Sequence, residues 1–235
     1  MIDIHTHILP NMDDGSASPE ETAELLAMEL AQGVDTVALT PHFYGHQEDP
    51  ESFLTRRAEA VDSLLQTEEM PRLLLGAEVA YFSGIGISEA VPALQLGNSG
   101  LLLIEMPFDT WSDRVVKEIC DLPETLGLTP VLAHVERYRK RNQFLKYYRQ
   151  LAEKDVLFQL NAQAFTARAT RGWALKLIKN GYVQFLGSDC HNATTRPPNV
   201  QLAGQFLSQK LGPAFVKEFN EKAHYLLFPD ETKEA

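Results

Sequence analysis

Residues that bind divalent metal ions recur in this sequence at the ends of short apolar runs. The candidate ligands number nine, of which eight lie in or just after six such runs and Asp14 lies in the loop after the first run: His5, His7, Asp14, His42, Glu78, Glu105, His134, Asp189 and His191. A strand buried on both faces needs continuous hydrophobicity, whereas a buried histidine or carboxylate at its end is unfavourable unless charge or hydrogen bonds compensate it. Repeated endings of this kind predict one shared ion site.

Each candidate ligand has a plain structural alternative when it is taken alone. Asp3, His5 and His7 alternate along one strand and share one side of it, yet such a pair of histidines is also found in ordinary protein cores. The segment 13 to 15, Asp-Asp-Gly, is equally typical of a turn. Glu78 follows an apolar run, where an unpaired glutamate would stay neutral or destabilise the fold, and a cation resolves that conflict. The common position at strand ends favours the metal site.

Helical patterns fill the segments between the apolar runs. The clearest helix start has Ser18 as the expected N-cap, Pro19 as the first helical residue and Glu21 as the partner in a capping box. Gly33 marks the expected end of this helix. Further helices are predicted near 51 to 67, 112 to 126, 140 to 154, 168 to 180, 197 to 211 and 213 to 227, and a seventh strand is predicted at 158 to 161.

The alternation of strands and helices predicts the fold class. It implies βαβ units and a parallel sheet, and seven strands favour closure into a barrel over an open sheet. Connections in such folds are right-handed, so that the carboxyl ends of all strands emerge at one mouth. We therefore expect one α/β domain over residues 1–235, with distant ligands meeting at this mouth.

Composition and charge exclude several classes of protein. The hydrophobic fraction of 44% and the charged fraction of 23% are typical of a globular protein, and the net charge of −11 argues against binding to a nucleic-acid backbone. No run approaches the roughly 20 apolar residues of a membrane helix, and Met1 leads directly into a strand. Two cysteines are too few for a disulfide framework. We expect a cytoplasmic protein that is not embedded in a membrane.

A competing catalytic pattern involves a cysteine. Cys190 and Arg196 fit the Cys-x5-Arg spacing of cysteine-based phosphatases. The five intervening residues contain no glycine for a phosphate-cradling loop, and the prolines at 197 and 198 remove backbone amides just beyond the arginine. We treat the spacing as coincidental and expect Cys190 to point into the core, away from Asp189 and His191.

Two arginines and several aromatic residues follow the strand ends. Arg137 and Arg196 each lie just past a candidate ligand and can overhang the mouth, although Arg137 could also be a solvated charge within the basic run 137 to 141. The aromatic residues of the mouth loops are Phe43, Tyr44, Phe108 and Trp111. They could hold an aromatic substrate ring or pack the loops.

The strand-end motifs resemble those of the polymerase and histidinol phosphatase superfamily. The motifs are Asp3-Ile4-His5-Thr6-His7, Pro41-His42, Gly76-Ala77-Glu78, Ile104-Glu105, Ala133-His134-Val135-Glu136-Arg137-Tyr138, Ser188-Asp189-Cys190-His191-Asn192 and Arg196-Pro197-Pro198. In order and spacing they are most similar to bacterial metal-dependent protein-tyrosine phosphatases of capsule and exopolysaccharide gene clusters. The resemblance implies a distorted (β/α)7 TIM-like barrel with a centre of three divalent ions, commonly manganese, at the C-terminal mouth. Iron, cobalt and zinc also suit histidine and carboxylate ligands.

The resemblance also implies a place for each ligand. One ion would be held by His5, His7, Glu78 and Asp189; a second by the bridging Glu78 with Glu105 and His134; and the third by Asp14, His42 and His191. Arg137 and Arg196 would bind the phosphate and stabilise its charge during catalysis.

The expected activity is hydrolysis of phosphotyrosine, on a bacterial tyrosine autokinase that controls capsule or exopolysaccharide synthesis. A phenolate leaving group has a pKa near 10, so an aryl phosphate needs little help from a general acid, and the sequence offers no obvious one. A phosphoesterase acting on histidinol phosphate or another small molecule would use the same metals. A non-enzymatic scaffold that binds a partner through the mouth is a further alternative.

Overall fold

The computed structural model describes residues 1–65, 67, 69–109, 111–141 and 143–231. Within these residues the strands are β1 (Ile2–Thr6), β2 (Thr36–Leu39), β3 (His42–Tyr44), β4 (Arg72–Leu75), β5 (Glu78–Ala80), β6 (Leu101–Glu105), β7 (Thr129–Leu132), β8 (Leu157–Asn161) and β9 (Phe185–Gly187). The α-helices are α1 (Pro19–Ala31), α2 (Pro50–Asp62), α3 (Asp113–Cys120), α4 (Leu122–Leu126), α5 (Gln143–Ala152), α6 (Gln163–Thr166), α7 (Arg171–Lys179), α8 (Val200–Leu211) and α9 (Pro213–Leu227). Short 3-10 helices cover Ile85–Ile87, Val91–Leu94 and Val135–Arg141.

The nine strand segments follow the seven apolar runs predicted from the sequence. The second run is interrupted between β2 and β3, where Pro41 lacks the N–H that a continuous ladder needs. The third run is interrupted between β4 and β5 at Gly76, where a Cβ would lie 2.7 Å from the Leu96 side chain. These two breaks place His42 and Glu78 at the start of new segments, directly opposite each other in the β3–β5 register.

The strands form two parallel sheets, which confirms the α/β class. One sheet has the order β1-β2-β4 and the other the order β3-β5-β6-β7-β8-β9. The end of β1 also lies beside the segment that follows β9. There His7 N donates to Cys190 O at 2.8 Å, and Asp189 N donates to His5 O at 2.8 Å. These two hydrogen bonds join the first strand of the chain to the segment that follows the last strand.

Most helix predictions are confirmed, with four differences, the first of which is that the helix predicted near 51 to 67 ends at Asp62. At α1, Ser18 Oγ accepts from Glu21 N at 3.3 Å, and the Glu21 carboxylate accepts from Ala17 N, one residue before the expected Ser18 N. The helix predicted at 112 to 126 is two helices, because Pro123 lies in the first turn of α4 and has no N–H to continue the hydrogen bonds of α3. α6 was not predicted. Residues 66 and 142, within or beside predicted helices, lie outside the described residues.

Both faces of the central strands are buried. In β6, Leu101 and Leu103 belong to a smaller apolar cluster that also contains Ile4, whereas Leu102 and Ile104 face a larger one against the helices. This period-two alternation explains why the strand sequences are continuously apolar. The smaller cluster is completed by residues of α9 and its end, Ala223, Leu227 and Phe228. No helix in the described ranges has the length and hydropathy needed to cross a bilayer.

Candidate metal centre

The nine predicted ligands converge at the carboxyl ends of the strands. Three overlapping groups offer ligand atoms that lie within 4.8 Å of one another: His7 with Asp14, His42 and His191; His5 with His7 and Asp189; and His42 with Glu78 and Glu105. His134 completes the set, since its Nε2 atom lies 2.8 Å from Glu78 Oε1 and 3.2 Å from Glu105 Oε1.

Glu78 lies at the centre of this convergence. Its Oε2 atom is 2.9 Å from His42 Nδ1, 3.2 Å from His5 Nε2 and 3.3 Å from His7 Nε2. Its other oxygen contacts His134. One buried carboxylate thus touches four imidazoles, which is the geometry expected of a ligand shared between ions.

Two of the candidate ligands have unusual backbone conformations. His134 directly follows the residue after β7 and has a φ of 33°, and Asp189 follows β9 closely with a φ of 55°. Non-glycine residues rarely adopt this left-handed region, and holding one there costs about 1–3 kcal/mol. Such strain is concentrated at functional sites, where the surrounding structure holds a side chain in one direction.

Two carboxylates at the mouth, Glu78 and Asp189, are held in their charged form. Burial alone would raise the pKa of Glu78, but the charge of His5 and the hydrogen bond from His134 lower it well below its usual range. Asp189 behaves in the same way, because His5 and Arg137 outweigh burial and lower its pKa. A divalent ion requires ionised carboxylates, and it requires imidazoles that are neutral or can release a proton when the ion binds.

Several buried polar atoms at the mouth have no hydrogen-bond partner among the described residues. They are Glu78 Oε2, His42 Nδ1, His134 Nδ1 and His191 Nε2. Glu78 Oε2 and His42 Nδ1 are close together but are not aligned for a hydrogen bond with each other. Orphaned buried atoms are costly unless something else satisfies them. Imidazole and carboxylate donors without thiolate fit divalent ions such as manganese, iron, cobalt or zinc.

Arg137 and Arg196 both bind the carboxylate of Asp189. Arg137 NH2 donates to Asp189 Oδ2, and Arg196 NH2 donates to Oδ1 at 2.8 Å. Arg196 NH1 also lies 3.8 Å from Asp14 Oδ2. The alternative that Arg137 is a solvated charge away from the site is therefore wrong, and both guanidinium groups flank the candidate metal ligands.

Comparison with known proteins identifies the family. The sequence profile of the family described as "Capsular polysaccharide synthesis, CpsB/CapC" matches residues 1–227. The chain belongs to the CpsB/CapC family. This match confirms the resemblance to the phosphatases of capsule clusters that the strand-end motifs indicate.

Named relatives of this CpsB/CapC chain are similar over nearly their whole length. It is 30% identical to tyrosine-protein phosphatase YwqE of Bacillus subtilis, over 97% of this chain and 91% of YwqE. It is 31% identical to tyrosine-protein phosphatase CpsB of Streptococcus pneumoniae, over 93% and 94%. A crystal structure that belongs to a pair, YwqE and CpsB, described as unique metal-dependent tyrosine phosphatases, is also similar. It matches with a TM-score of 0.78 at 27% sequence identity, and the match covers 97% of this chain and 94% of that chain.

In this CpsB/CapC member, three residues that sequence reasoning did not single out hold the candidate ligands in place. Asp13 Oδ2 lies 2.7 Å from His7 Nδ1 and accepts from His42 N at 2.8 Å. Gln159 Oε1 accepts from His134 N, and Asn161 Nδ2 donates to Asp189 at 2.9 Å. Asp13 also bonds Gly15 N, so the segment forms the turn and contributes to the site.

Cys190 points into the core, as predicted from the sequence. Its side chain is buried, with Sγ 3.9 Å from Glu29 Oε1. Burial and the carboxyl groups of Glu29 and Asp3 raise the pKa of the thiol well above its usual range. A nucleophilic cysteine needs the opposite shift, toward the thiolate. The cysteine mechanism has no support in this geometry.

The four aromatic residues of the mouth loops divide into two pairs. Phe43 and Trp111 are buried and pack the loops. Tyr44 and Phe108 remain at the mouth, with ring centroids 5.3 Å from His42 and 6.2 Å from His134, respectively. Phe108 is 48% exposed and lies parallel to the His134 ring.

Proposed function

We propose that this CpsB/CapC member is a metal-dependent protein-tyrosine phosphatase that hydrolyses phosphotyrosine on a bacterial tyrosine autokinase controlling capsule or exopolysaccharide synthesis. The observation that carries the proposal is the cluster in which Glu78 contacts four imidazoles while two arginines bind the adjacent Asp189. The names of the relatives in Bacillus subtilis and Streptococcus pneumoniae support the same activity.

The nine convergent residues would hold three divalent ions, with manganese as the proposed metal. His5, His7, Glu78 and Asp189 would bind one ion, Glu78, Glu105 and His134 a second, and Asp14, His42 and His191 the third. His42 also groups with Glu78 and Glu105, so its imidazole contacts residues of two of the proposed ligand sets. When bound, the ions would supply positive charge and activate a water molecule for in-line attack on phosphorus.

The residues around the cluster would bind and orient the phosphate. Arg137 and Arg196 present two planar guanidinium forks, which match the oxygens of a phosphoryl group. Their common partner Asp189 positions both before substrate arrives. Burial and the charge of Glu105 raise the pKa of Tyr44 to about 12. Tyr44 therefore keeps its phenolic proton and can donate a hydrogen bond at the mouth.

We extend the proposal to the architecture and location. The two sheets would close into a distorted (β/α)7 barrel over a single domain of residues 1–235, supported by the hydrogen bonds that join β1 to the segment after β9. A cytoplasmic location is supported by the free thiols of Cys120 and Cys190. It also agrees with a substrate whose phosphate is added by a kinase.

The test compares substrates on the metal-loaded protein. A phosphotyrosine peptide and histidinol phosphate are assayed with manganese, after removal of metal with a chelator, and after manganese is restored. Metal content is measured by mass spectrometry on the native protein. We expect three equivalents of metal and chelator-sensitive hydrolysis of the phosphotyrosine peptide. Preference for histidinol phosphate would indicate a small-molecule phosphoesterase, and absence of metal-dependent turnover would indicate a scaffold.

A further inference from the structure

A cavity of about 410 Å³ lies beside the candidate metal centre. Its lining includes Arg137 and Asn161, both of which bind the Asp189 carboxylate. The lining continues to Ala167 and Thr170 in the segment between α6 and α7. The volume falls in the range of roughly 300–1,000 Å³ that is typical of ligand sites. The cavity therefore opens next to the position where the phosphate would bind.

The chain segment around this cavity has a charge opposite to that of the whole protein. Residues 137–179 contain eleven of the 21 Lys and Arg residues but two of the 32 Asp and Glu residues. The rest of the chain has ten basic and thirty acidic residues. A protein with a net charge of −11 thus carries about half of its basic residues in the segment that contains part of the cavity lining.

Four arginines of this segment border the cavity, and we call them the basic rim: Arg137, Arg139, Arg168 and Arg171. Arg137 lines the cavity directly. Arg139 NH1 donates to Ala169 O at 2.8 Å, between the lining residues 167 and 170. Arg168 and Arg171 are exposed and each is the immediate neighbour of a lining residue.

We propose that the cavity and the basic rim bind acidic side chains that flank the phosphotyrosine of the substrate. This inference rests on the proposed phosphatase function and names the class of peptide that the site prefers. The net negative charge of the protein repels an acidic peptide over most of the surface. The local positive charge of the rim attracts the same peptide and concentrates it there. Glu136, the acidic residue of the lining, accepts a hydrogen bond from Asn161 N at 3.3 Å and is tied to the wall.

The experiment uses two peptides of equal length with one phosphotyrosine each. One has glutamates on both sides of the phosphotyrosine and the other has glutamines. The manganese-loaded wild-type protein should show a kcat/KM roughly 3- to 30-fold higher for the acidic peptide at low ionic strength. The ratio should shrink as salt is added, because the screening length falls from about 30 Å at 0.01 M to about 10 Å at 0.1 M.

A pair of double variants assigns the preference to the rim. Arg168→Gln with Arg171→Gln removes two charges at the mouth end of α7. Lys176→Gln with Lys179→Gln removes two exposed charges at the other end of the same helix. The arginine variant should bring the ratio of kcat/KM values close to one, whereas the lysine variant should keep the wild-type ratio. Melting temperatures confirm that both variants are folded.

The outcomes separate the two proposals. Equal hydrolysis of both peptides by the wild type would overturn the basic rim and leave the phosphatase standing. The rim is equally overturned if the arginine variant keeps the preference, or if the lysine variant loses it to the same extent. Hydrolysis of neither peptide by metal-loaded protein would overturn the proposed function and, with it, this inference.

Discussion

Two clusters of buried carboxyl groups lie near the contact between β1 and the segment after β9, and they differ in whether their carboxyl groups are ionised. At the mouth, Glu78 and Asp189 are surrounded by imidazoles and guanidinium groups, which lower their pKa values. Behind it, Asp3 and Glu29 lie against each other and against Cys190, and burial raises their pKa values, that of Glu29 to about 10. The first cluster is charged. In the second, which we call the neutral cluster after Glu29, the Glu29 carboxyl group keeps its proton.

The difference shows that burial alone does not decide what a carboxyl group does. A buried acid that faces cations stays ionised and can bind metal, whereas one member of a pair of buried acids that face each other keeps its proton. Asp3 of this pair serves structure, since it accepts hydrogen bonds from the backbone N–H groups of His5 and Ser188. It thereby joins β1 to the segment after β9, and both carry candidate metal ligands.

Removing the central carboxylate of the mouth should have the largest effect. Glu78→Ala is expected to lower turnover by about 10³-fold or more and to reduce bound metal, because the residue touches the ligands of more than one proposed ion. Turnover and metal equivalents are measured together, with Glu221→Ala on α9 as the control. A variant that keeps three equivalents of metal and normal turnover would show that Glu78 is not a bridge.

Substitution of either of the two arginines at the mouth should have the next largest effect on activity. Arg137→Ala and Arg196→Ala are each expected to lower kcat/KM by roughly 10²-fold, since preorganised charge acts on the transition state, with metal content and melting temperature nearly unchanged. Lysine should rescue only in part, because it lacks the planar fork. Arg149→Ala, an exposed change on α5, is the control. Normal kinetics in either alanine variant would remove that arginine from the site.

Substitution of a residue that holds a candidate ligand in place should have a smaller effect on the site. Burial alone would lower the pKa of His7, but the Asp13 carboxylate raises it to about 10. Asp13→Asn keeps the shape and removes the charge that orients this imidazole, so metal affinity should fall about 10–100-fold. Competition with a chelator measures it, and Asp62→Asn at the end of α2 is the control. Unchanged affinity would mean that Asp13 serves the turn alone.

In the neutral cluster we expect changes in stability and not in catalysis. The folded state holds the Glu29 proton more tightly than the unfolded chain, so its contribution is fully present below pH 4.5 and is lost as pH rises through about 10. Glu29→Gln removes this dependence and should gain roughly 1 to 3 kcal/mol relative to wild type between pH 4.5 and pH 7. Denaturant unfolding at both pH values measures it, and a constant difference would contradict the neutral state.

Cys190→Ser should have the smallest effect of all. The thiol lies in the neutral cluster and away from the mouth, so turnover should stay within a few-fold of wild type. Aryl phosphate hydrolysis is compared at equal metal content and equal melting temperature. Complete loss of activity under those conditions would revive the cysteine mechanism.

The mouth was predictable because eight of the nine candidate ligands lie at the ends of apolar runs, and parallel strands bring such ends together. Gln159 and Asn161 left a weaker signal, as two polar residues at alternate positions of an otherwise apolar strand. Glu29 left none, since a glutamate on a helix is usually exposed and only tertiary packing against Asp3 makes it buried. The breaks in the second and third strands depend on close contacts such as that of Gly76 with Leu96, which pattern alone does not reveal.

The pairing of β1 with the segment after β9 has a consequence for biosynthesis. His5 and His7 leave the ribosome first, yet the partners that hold them, Asp189 and Cys190, follow more than 180 residues later. A nascent chain can build most of its βα units in order, but it cannot assemble the complete ligand set before that last segment emerges. Binding of a metal ion by the complete set of candidate ligands would therefore follow translation of the segment after β9, and it would report that β1 has met this segment.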